Sequence, residues 1–285
     1  MLDRAAGSLY SDARKLLIHM QKRVNILSVL RVTAHQSIVD TLALYPPRAY
    51  LFAWGPRILT QIAFFAVLAR FFGGVILLHY ALIGNSFYML ASTLITGVAA
   101  SITRERRLGT LPFLIASPCS PLLVLTGRNV GMALHGLISG CMGLVVAFAL
   151  GMPFTPTLIL SLLPLVLAVA LSSYGAGLFL GSIALYSRGY HEVIANAFVL
   201  LILTICGVNY PVTTLPPLFQ SLSWFLPLSR SLTAVHMLLQ GIPFVQVLPV
   251  LGGEILVSLS YIILAQVLLR LFLTRARKAG TLEYH

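Results

Sequence analysis

Long apolar stretches, separated by short polar loops, dominate this sequence and restrict what it can fold into. A bilayer core of about 30 Å is crossed by roughly 20 helical residues. Only 9% of the chain is charged and 58% is hydrophobic, whereas about 25% of residues are charged in a soluble domain. The sequence therefore predicts an all-α polytopic membrane protein. Its six predicted spans cover residues 50–72, 75–102, 121–150, 155–183, 193–208 and 247–273.

The first 49 residues do not supply a span, because charged residues interrupt every apolar stretch. The sequence predicts an N-terminal segment over 1–49, a transmembrane domain over 50–273 and a basic tail over 274–285. Apolar residues at loosely helical spacing predict an amphipathic helix on the inner membrane face. The alternative is a cytoplasmic helix packed on another subunit. The apolar residues of this helix are Ile26, Val29, Leu30, Val39, Leu42 and Leu44.

Prolines divide the region between the fifth and sixth spans into two apolar segments of about a dozen residues each. Segments of this length are too short to cross a bilayer and too apolar for an ordinary loop. Unpaired backbone cannot face lipid, so we expect an extracellular re-entrant helical hairpin over residues 211–243. Trp224 and Phe225 suit the depth of the membrane interface.

The basic residues lie almost entirely on one side of the predicted spans. The net charge is +12, and only Arg70 and Arg230 among the basic residues fall on the outer side. The positive-inside rule then places both termini in the cytoplasm of a multi-pass protein of the cell inner (plasma) membrane. The charge is explained by topology and by contact with membrane lipid, so we expect no nucleic-acid partner.

A charged and then amphipathic segment, residues 104–118, joins the second and third spans on the cytoplasmic side. Leu111, Leu114 and Ile115 share one face of a helix there. Such a helix can dock into a groove of a cytoplasmic partner and transmit motion. The alternative is an ordinary interfacial loop helix, and the residues alone leave both open.

Two motifs resemble a known family. Glu105, Gly109-Thr110-Leu111, Leu114 and Ser117-Pro118 resemble the coupling-helix motif of type-2 ABC transporter permeases. The second motif comprises Gly207-Val208-Asn209-Tyr210-Pro211-Val212, Leu215-Pro216 and Leu226-Pro227-Leu228. In that family this second pattern marks the end of the fifth span and the extracellular re-entrant helices. The resemblance covers roughly residues 25–273, and Pro112 departs from the polar or acidic residue that the family often carries.

The resemblance implies a permease that works with a separate ABC nucleotide-binding (ATPase) subunit. The sequence has no Gly-x-x-x-x-Gly-Lys-Ser/Thr loop. We therefore expect no catalytic residue, cofactor or metal site in this chain, and ATP and Mg on the partner subunit. A second permease chain would complete a homodimer or a heterodimer. The residues expected to couple to the ATPase are Glu105, Arg106, Arg107, Gly109, Thr110, Leu111 and Leu114.

The resemblance also implies that the second and fifth spans line the translocation pathway. Two polar residues inside the predicted spans, Glu254 and His135, are interpreted individually. Glu254 is predicted either to contact substrate or a proton, or to lie at the headgroup boundary. His135 is predicted to form interhelical hydrogen bonds. Small-residue stripes are predicted to pack helices within one protomer rather than at a dimer seam. The candidate pathway residues are Asn85, Phe87, Asn196, Val199, Leu203, Asn209 and Glu254.

The leading functional hypothesis is the membrane subunit of an ATP-driven exporter of a hydrophobic drug, antibiotic or lipid-like molecule, as in multidrug or antibiotic resistance. The same kind of permease exports polysaccharides or peptides, which is one alternative. A membrane-embedded lipid-modifying enzyme is another, but it requires acid, base or metal groups clustered at one cavity. The ionisable residues inside the predicted spans are few and scattered.

Overall fold

The computed structural model describes residues 26–110, 121–186 and 190–279, and this part of the chain is helical without strands. A 3₁₀ turn at Val212–Thr214 and short helical turns at Pro47–Ala49 and Tyr50–Trp54 supplement the main helices. The main helices are α1 (Ile26–Leu44), α2 (Gly55–Arg107), α3 (Pro121–Arg128), α4 (Val130–Ala149), α5 (Pro156–Ala184), α6 (His191–Ile205), α7 (Pro217–Ser223), α8 (Ser229–Leu239) and α9 (Phe244–Ala279).

Four helical segments are long and apolar enough to cross a membrane: Pro47–Arg107, Leu123–Ala149, Pro156–Ala184 and Phe244–Arg275. The prediction of a multi-pass, all-α membrane protein is therefore confirmed. Helix α6, at the predicted fifth span, has 15 residues. At 1.5 Å per residue it reaches only about 22 Å, which is short of the bilayer core. The number of six spans stays a prediction.

The segment Pro47–Arg107 contains the first two predicted spans and is broken at Gly74. Gly74 has φ 65° and ψ −152°, a conformation that glycine adopts readily because it has no Cβ. Beyond the break, Tyr88 lies beside Gln61 and Arg57. Residues that pair symmetrically about position 74 require the chain to reverse there. The first arm (47–73) and the second arm (75–107) are therefore antiparallel, and each exceeds the roughly 20 residues of a crossing.

The second arm is the central helix of the molecule. Every residue from 81 to 95 is buried. Gly136 and Gly140 of α4 lie against Leu94 and Leu90, where an added Cβ would come within 2.5 and 2.8 Å of their side chains. Small residues allow this close approach of helix backbones.

Helix α5 packs on the same arm from another side. Gly177 lies against Val98, and Gly181 lies against Ile102. With the contacts of Gly136 and Gly140, this confirms that the small-residue stripes pack helices within one protomer.

Helix α1 forms within the predicted N-terminal segment and packs on the beginning of α4. Its buried residues are Ser37 and Thr41, and the Gly131 amide donates to the Ser37 hydroxyl over 3.0 Å. An added Cβ at Gly131 would lie 2.2 Å from the Thr41 hydroxyl. The apolar side chains of Val32 and Val39 are instead exposed. This helix therefore contacts its own chain through these hydroxyls and leaves apolar residues exposed, and its position on the membrane face stays a prediction.

The region between α6 and α9 contains the two short helices α7 and α8, where the sequence predicts a re-entrant hairpin. The chain enters this region close to the half of the second arm that follows Gly74: a Cβ at Gly84 would lie 1.9 Å from the Val208 carbonyl oxygen. Helix α8 packs against α5 and α9. Helix α7 has 7 residues and α8 has 11, and the re-entrant hairpin stays a prediction.

Candidate functional site

The second arm ends at the predicted cytoplasmic side in a defined turn. The Thr110 amide donates to the Glu105 carbonyl oxygen over 3.0 Å, and the Gly109 amide donates to the Arg106 carbonyl oxygen over 3.2 Å. Gly109 has φ 67°. These bonds form a Schellman motif, in which the residue after the helix is left-handed and is usually glycine. The Gly109-Thr110 pair of the coupling motif is thus a helix stop.

Glu105 ties this helix end to the next helix. Its carboxylate forms a salt bridge with Arg128, at the end of α3, and accepts a hydrogen bond from the Thr110 hydroxyl. The Glu105 side chain is largely buried. A buried ion pair with additional hydrogen bonds fixes geometry strongly, because loss of one partner leaves a charge without compensation.

Arg106 ties the same helix end to α5. Its guanidinium donates to the Leu185 carbonyl oxygen over 2.7 Å, so Glu105 and Arg106 fasten the second arm to α3 and α5 respectively. Arg107 is exposed. Leu111 and Leu114, the predicted apolar anchors of the coupling helix, lie outside the described residues. Glu105 and Arg106 were predicted to contact the ATPase, and the structure places both side chains in contacts within this chain.

Among the candidate pathway residues, Asn85 and Asn209 are brought together. The Asn85 amide donates to the Asn209 side-chain oxygen over 2.7 Å, which links the outer part of the second arm to the segment after α6. Asn85 and Phe87 are buried on the second arm. Both residues therefore face neighbouring helices of the same chain.

The candidates on α6 lie on different sides of the helix. Val199 is buried in the core, Leu203 is half-buried and Asn196 is exposed. Val193, Leu200 and Thr204 are exposed at helical spacing along the side of Asn196. Asn196 thus lies on a mostly apolar face of α6 that no other part of the described chain covers.

Glu254 lies inside the molecule. Its side chain is fully buried, and its carboxylate accepts from the backbone amides of Leu228 (2.8 Å) and Ser231 (3.3 Å). These amides lie at the N-terminus of α8, where the helix dipole favours a negative charge. Leu228 has φ 81°, so the carboxylate also holds a strained backbone. The structure places Glu254 as a cap of α8.

His135 forms the predicted interhelical hydrogen bond, which is confirmed: its Nδ1 is 2.6 Å from the Tyr50 hydroxyl. Tyr45 stacks on the imidazole ring with centroids 4.1 Å apart, and Trp54 meets it edge-on at 4.7 Å. The sequence pattern does not predict that these three aromatic residues surround His135. These residues lie around the beginning of the first predicted span, where aromatic residues gather at membrane interfaces, and this position is the signal that could have found them.

Two cavities open at opposite ends of the helices, and they are called outer and inner after the predicted topology. An outer cavity of about 570 Å³ lies between the Gly74 turn, the loop before α5 and α8, and His79, Tyr80 and His236 line it. An inner cavity of about 200 Å³ lies between the second arm and α6, and Trp54 and His135 line it. Among the residues that the structure describes, no group of three or more His, Cys, Asp or Glu residues could hold a metal ion.

Comparison with known families adds an independent finding. The model of the ABC-2 type transporter family matches residues 48–239, which include the first arm, the coupling motif and the segment up to α8. A search of curated proteins finds no match. Because the match covers more than half of the chain, the chain belongs to the ABC-2 type transporter family and is a membrane permease subunit of an ABC transporter.

Proposed function

We propose that this chain is the permease of an ATP-driven exporter and forms the translocation pathway as a dimer with a second permease chain. A separate ABC ATPase subunit binds ATP and Mg, and moves the permease between inward-open and outward-open states. The substrate is a hydrophobic drug, antibiotic or lipid-like molecule.

The observation that carries this proposal is the fastening of the second arm at its cytoplasmic end. Glu105 and Arg106 connect that end to α3 and α5, and the coupling motif continues directly from it. A partner that pushes on residues 104–118 therefore acts on three helices together. Arg107 and Leu108 are exposed beside this point, where they are accessible to a cytoplasmic subunit.

The exposed face of α6 supports a dimer. Val193 and Leu200 are exposed there beside Asn196, and an apolar face with one polar residue suits a second permease chain at a pathway. The family resemblance assigns the pathway to this span, which agrees with that use.

The test is transport with and without the ATPase subunit. The tagged chain is purified from its native membrane with its co-purifying ATPase, and ATP-dependent uptake of hydrophobic dyes into inverted vesicles is measured. We expect Glu105→Gln to abolish at least nine-tenths of transport while membrane insertion persists, with Gly252→Ala as the control. An unchanged rate in Glu105→Gln would contradict the coupling role. Product formation from a lipid without ATP would indicate an enzyme instead.

The same vesicles discriminate between substrate classes. Stimulation of ATP hydrolysis by hydrophobic aromatic compounds, and not by oligosaccharides or peptides, is the expected result. Stimulation by an oligosaccharide or a peptide alone would favour the corresponding alternative exporter.

A further inference from the structure

The outer cavity lies on a different side of the second arm from the predicted pathway. It measures about 570 Å³, which falls within the roughly 300–1,000 Å³ of small-molecule binding sites. The second arm, the start of α5 and the end of α8 contribute to its walls. None of the described residues that line it belongs to α6, so the proposed function gives this cavity no role.

The lining of the outer cavity carries no permanent charge. Among the described residues that line it, none is Asp, Glu, Lys or Arg. Arg70 and Arg230, the basic residues on the predicted outer side, are not part of this lining. A phosphate group would therefore find no cationic partner here, and a charge without a partner is costly to take out of water. The cavity favours an uncharged ligand.

The start of α5 forms a hydroxyl-bearing wall. Thr155 and Thr157 are exposed there, with their hydroxyl oxygens 3.1 Å apart. The Ser161 hydroxyl donates to the Thr157 carbonyl oxygen over 2.9 Å. Since a hydroxyl has one donor and two acceptor positions, the two threonines share one hydrogen and keep the other, while Ser161 keeps its acceptor positions. This wall offers both a donor and acceptors to a ligand.

Gln240, at the end of α8, provides a polar group on a second wall. Its side chain is exposed at the cavity, and an amide carries one acceptor oxygen and two donor hydrogens. Groups that both donate and accept therefore lie on two helices. A ligand with one polar atom would serve only one of these walls, whereas the hydroxyls of a sugar ring point in several directions and each of them donates and accepts.

The apolar part of the lining continues onto the molecular surface. Ile242 and Phe244 line the cavity after the end of α8. Ile76 also lines it and is strongly exposed, as is Leu160 on α5. In a bilayer such exposed side chains face acyl chains. A ligand with a polar head in the cavity can therefore extend an alkyl chain over the apolar surface beside it.

We propose that the outer cavity binds the neutral glycosyl headgroup of a membrane glycolipid, with sugar hydroxyls on Thr157, Ser161 and Gln240 and the alkyl chain against Ile76. This site goes beyond the proposed function, because it holds a resident lipid while the transported substrate follows the pathway beside α6. A lipid that binds only the folded chain also stabilises it by mass action.

Native mass spectrometry of the full chain tests the site. The chain is purified and delipidated in a polyoxyethylene detergent, which has no sugar headgroup. The probes are monoglucosyl diacylglycerol, diacylglycerol and phosphatidylglycerol with the same acyl chains, and methyl β-glucoside as the free sugar. We expect the glucosyl lipid to bind about tenfold more tightly than each of the other three, since a few hydrogen bonds between neutral groups contribute about this much.

Two pairs of variants locate the binding. Ser161→Phe fills the cavity and should remove the preference for the glucosyl lipid. Ser221→Phe is its matched control, because Ser221 also donates to the carbonyl oxygen four residues before it, over 3.0 Å, but lies on α7 outside the cavity. Thr157→Val removes one hydroxyl and should weaken binding about fivefold. Thr233→Val, at an exposed position of α8 outside the cavity, should leave binding unchanged.

Equal affinity of the unsubstituted chain for the glucosyl lipid and diacylglycerol would overturn the proposal, and that comparison needs no variant. Tighter binding of phosphatidylglycerol would overturn it as well. If methyl β-glucoside binds as tightly as the glucosyl lipid, the occupant is a free sugar and the assignment to a lipid is wrong. A preference that persists in Ser161→Phe would place the lipid elsewhere. The assay requires neither ATPase nor transport, so its outcome is separate from the transport test.

Discussion

A single carboxylate inside the membrane domain stabilises a short helix and a strained residue. Glu254 accepts from the amides of Leu228 and Ser231, while Ser172 and Arg230 lie beside it. A carboxylate is expensive to bury without partners, and here backbone amides, a hydroxyl and a nearby positive charge provide them. The residue is therefore best understood through the helix that it caps.

Removal of this carboxylate is expected to destabilise the chain. Glu254→Leu leaves two buried amides without an acceptor, which should lower the free energy of unfolding by roughly 2–4 kcal/mol, and Glu254→Gln by less. The measurement is the apparent Tm of the purified chain. Ser260→Ala, on an exposed side of the same helix, is the control and should leave the Tm unchanged. An equal Tm for Glu254→Leu would exclude the capping role.

His236 on α8 is expected to make the stability of the fold depend on pH. It is 8% exposed and stacks on Tyr80 with ring centroids 3.5 Å apart, and burial lowers the pKa of His236 to about 4. In the unfolded chain the histidine side chain binds a proton with a pKa near 6.5, whereas in the folded chain the pKa of His236 is about 4. The stability that the fold has with neutral His236 is therefore fully present above pH 6.5 and is lost as the pH falls toward 4.

Between pH 7 and pH 5 this histidine should cost about 2 kcal/mol of stability. His236→Phe retains an aromatic partner for Tyr80 and should reduce the fall in Tm over that interval. His79→Gln, in the wall of the same cavity, serves as the comparison. If the fall in Tm is the same with and without His236, another group is responsible.

At the scale of elements, the end of the second arm depends on one backbone conformation. Gly109 has φ +67°, and a Cβ there would meet nothing within 4 Å; Gly252 is equally open but lies inside helix α9 without a positive φ. An added Cβ has room at both glycines, so a difference in stability between the two alanine variants reports the backbone conformation and not steric overlap.

Alanine should act in opposite directions at these two positions. Gly109→Ala forces a side chain into the left-handed region and should cost about 1–2 kcal/mol, whereas Gly252→Ala should gain up to about 1 kcal/mol from helix propensity. Thermal unfolding of both variants measures the difference. A gain at Gly109 would show that the Schellman turn does not form in the protein.

The positions of the long helices could be predicted from the sequence, because the length of an apolar stretch determines whether it can cross a membrane. The contacts between side chains on different helices could not be predicted in this way. The apolar stretches and the break at Gly73-Gly74 can be predicted because each depends only on residues that are close together in the sequence. The pairing of Glu105 with Arg128 joins residues on different helices, and the caging of His135 by Tyr45, Tyr50 and Trp54 depends on how the first arm packs. Neither follows from spacing along the chain.

At the scale of the whole molecule, large apolar side chains are exposed on the molecular surface, which suits a lipid environment. Phe71, Ile76 and Leu160 are 83%, 87% and 75% exposed. Exposed large apolar side chains such as these would favour association of a soluble monomer. In a bilayer the same side chains face acyl chains, and the polar contacts described above remain inside the protein.

The predicted topology can be tested with single cysteines in a chain whose Cys119, Cys141 and Cys206 are replaced by Ser. Pro153 and Arg107 are both exposed, near opposite ends of the helices. An impermeant maleimide should label Pro153→Cys in intact cells and Arg107→Cys only after permeabilisation. Labelling of both from the same side would contradict the six-span arrangement.

The unbroken second arm has a mechanical consequence. From the Gly74 turn to the Gly109 stop it runs for about 50 Å, and its outer half is enclosed by neighbouring helices. A continuous helix packed in this way is expected to tilt largely as one body. A tilt imposed at the Gly109 end would then displace the Gly74 end in the opposite direction, with the helices packed around the arm as the pivot.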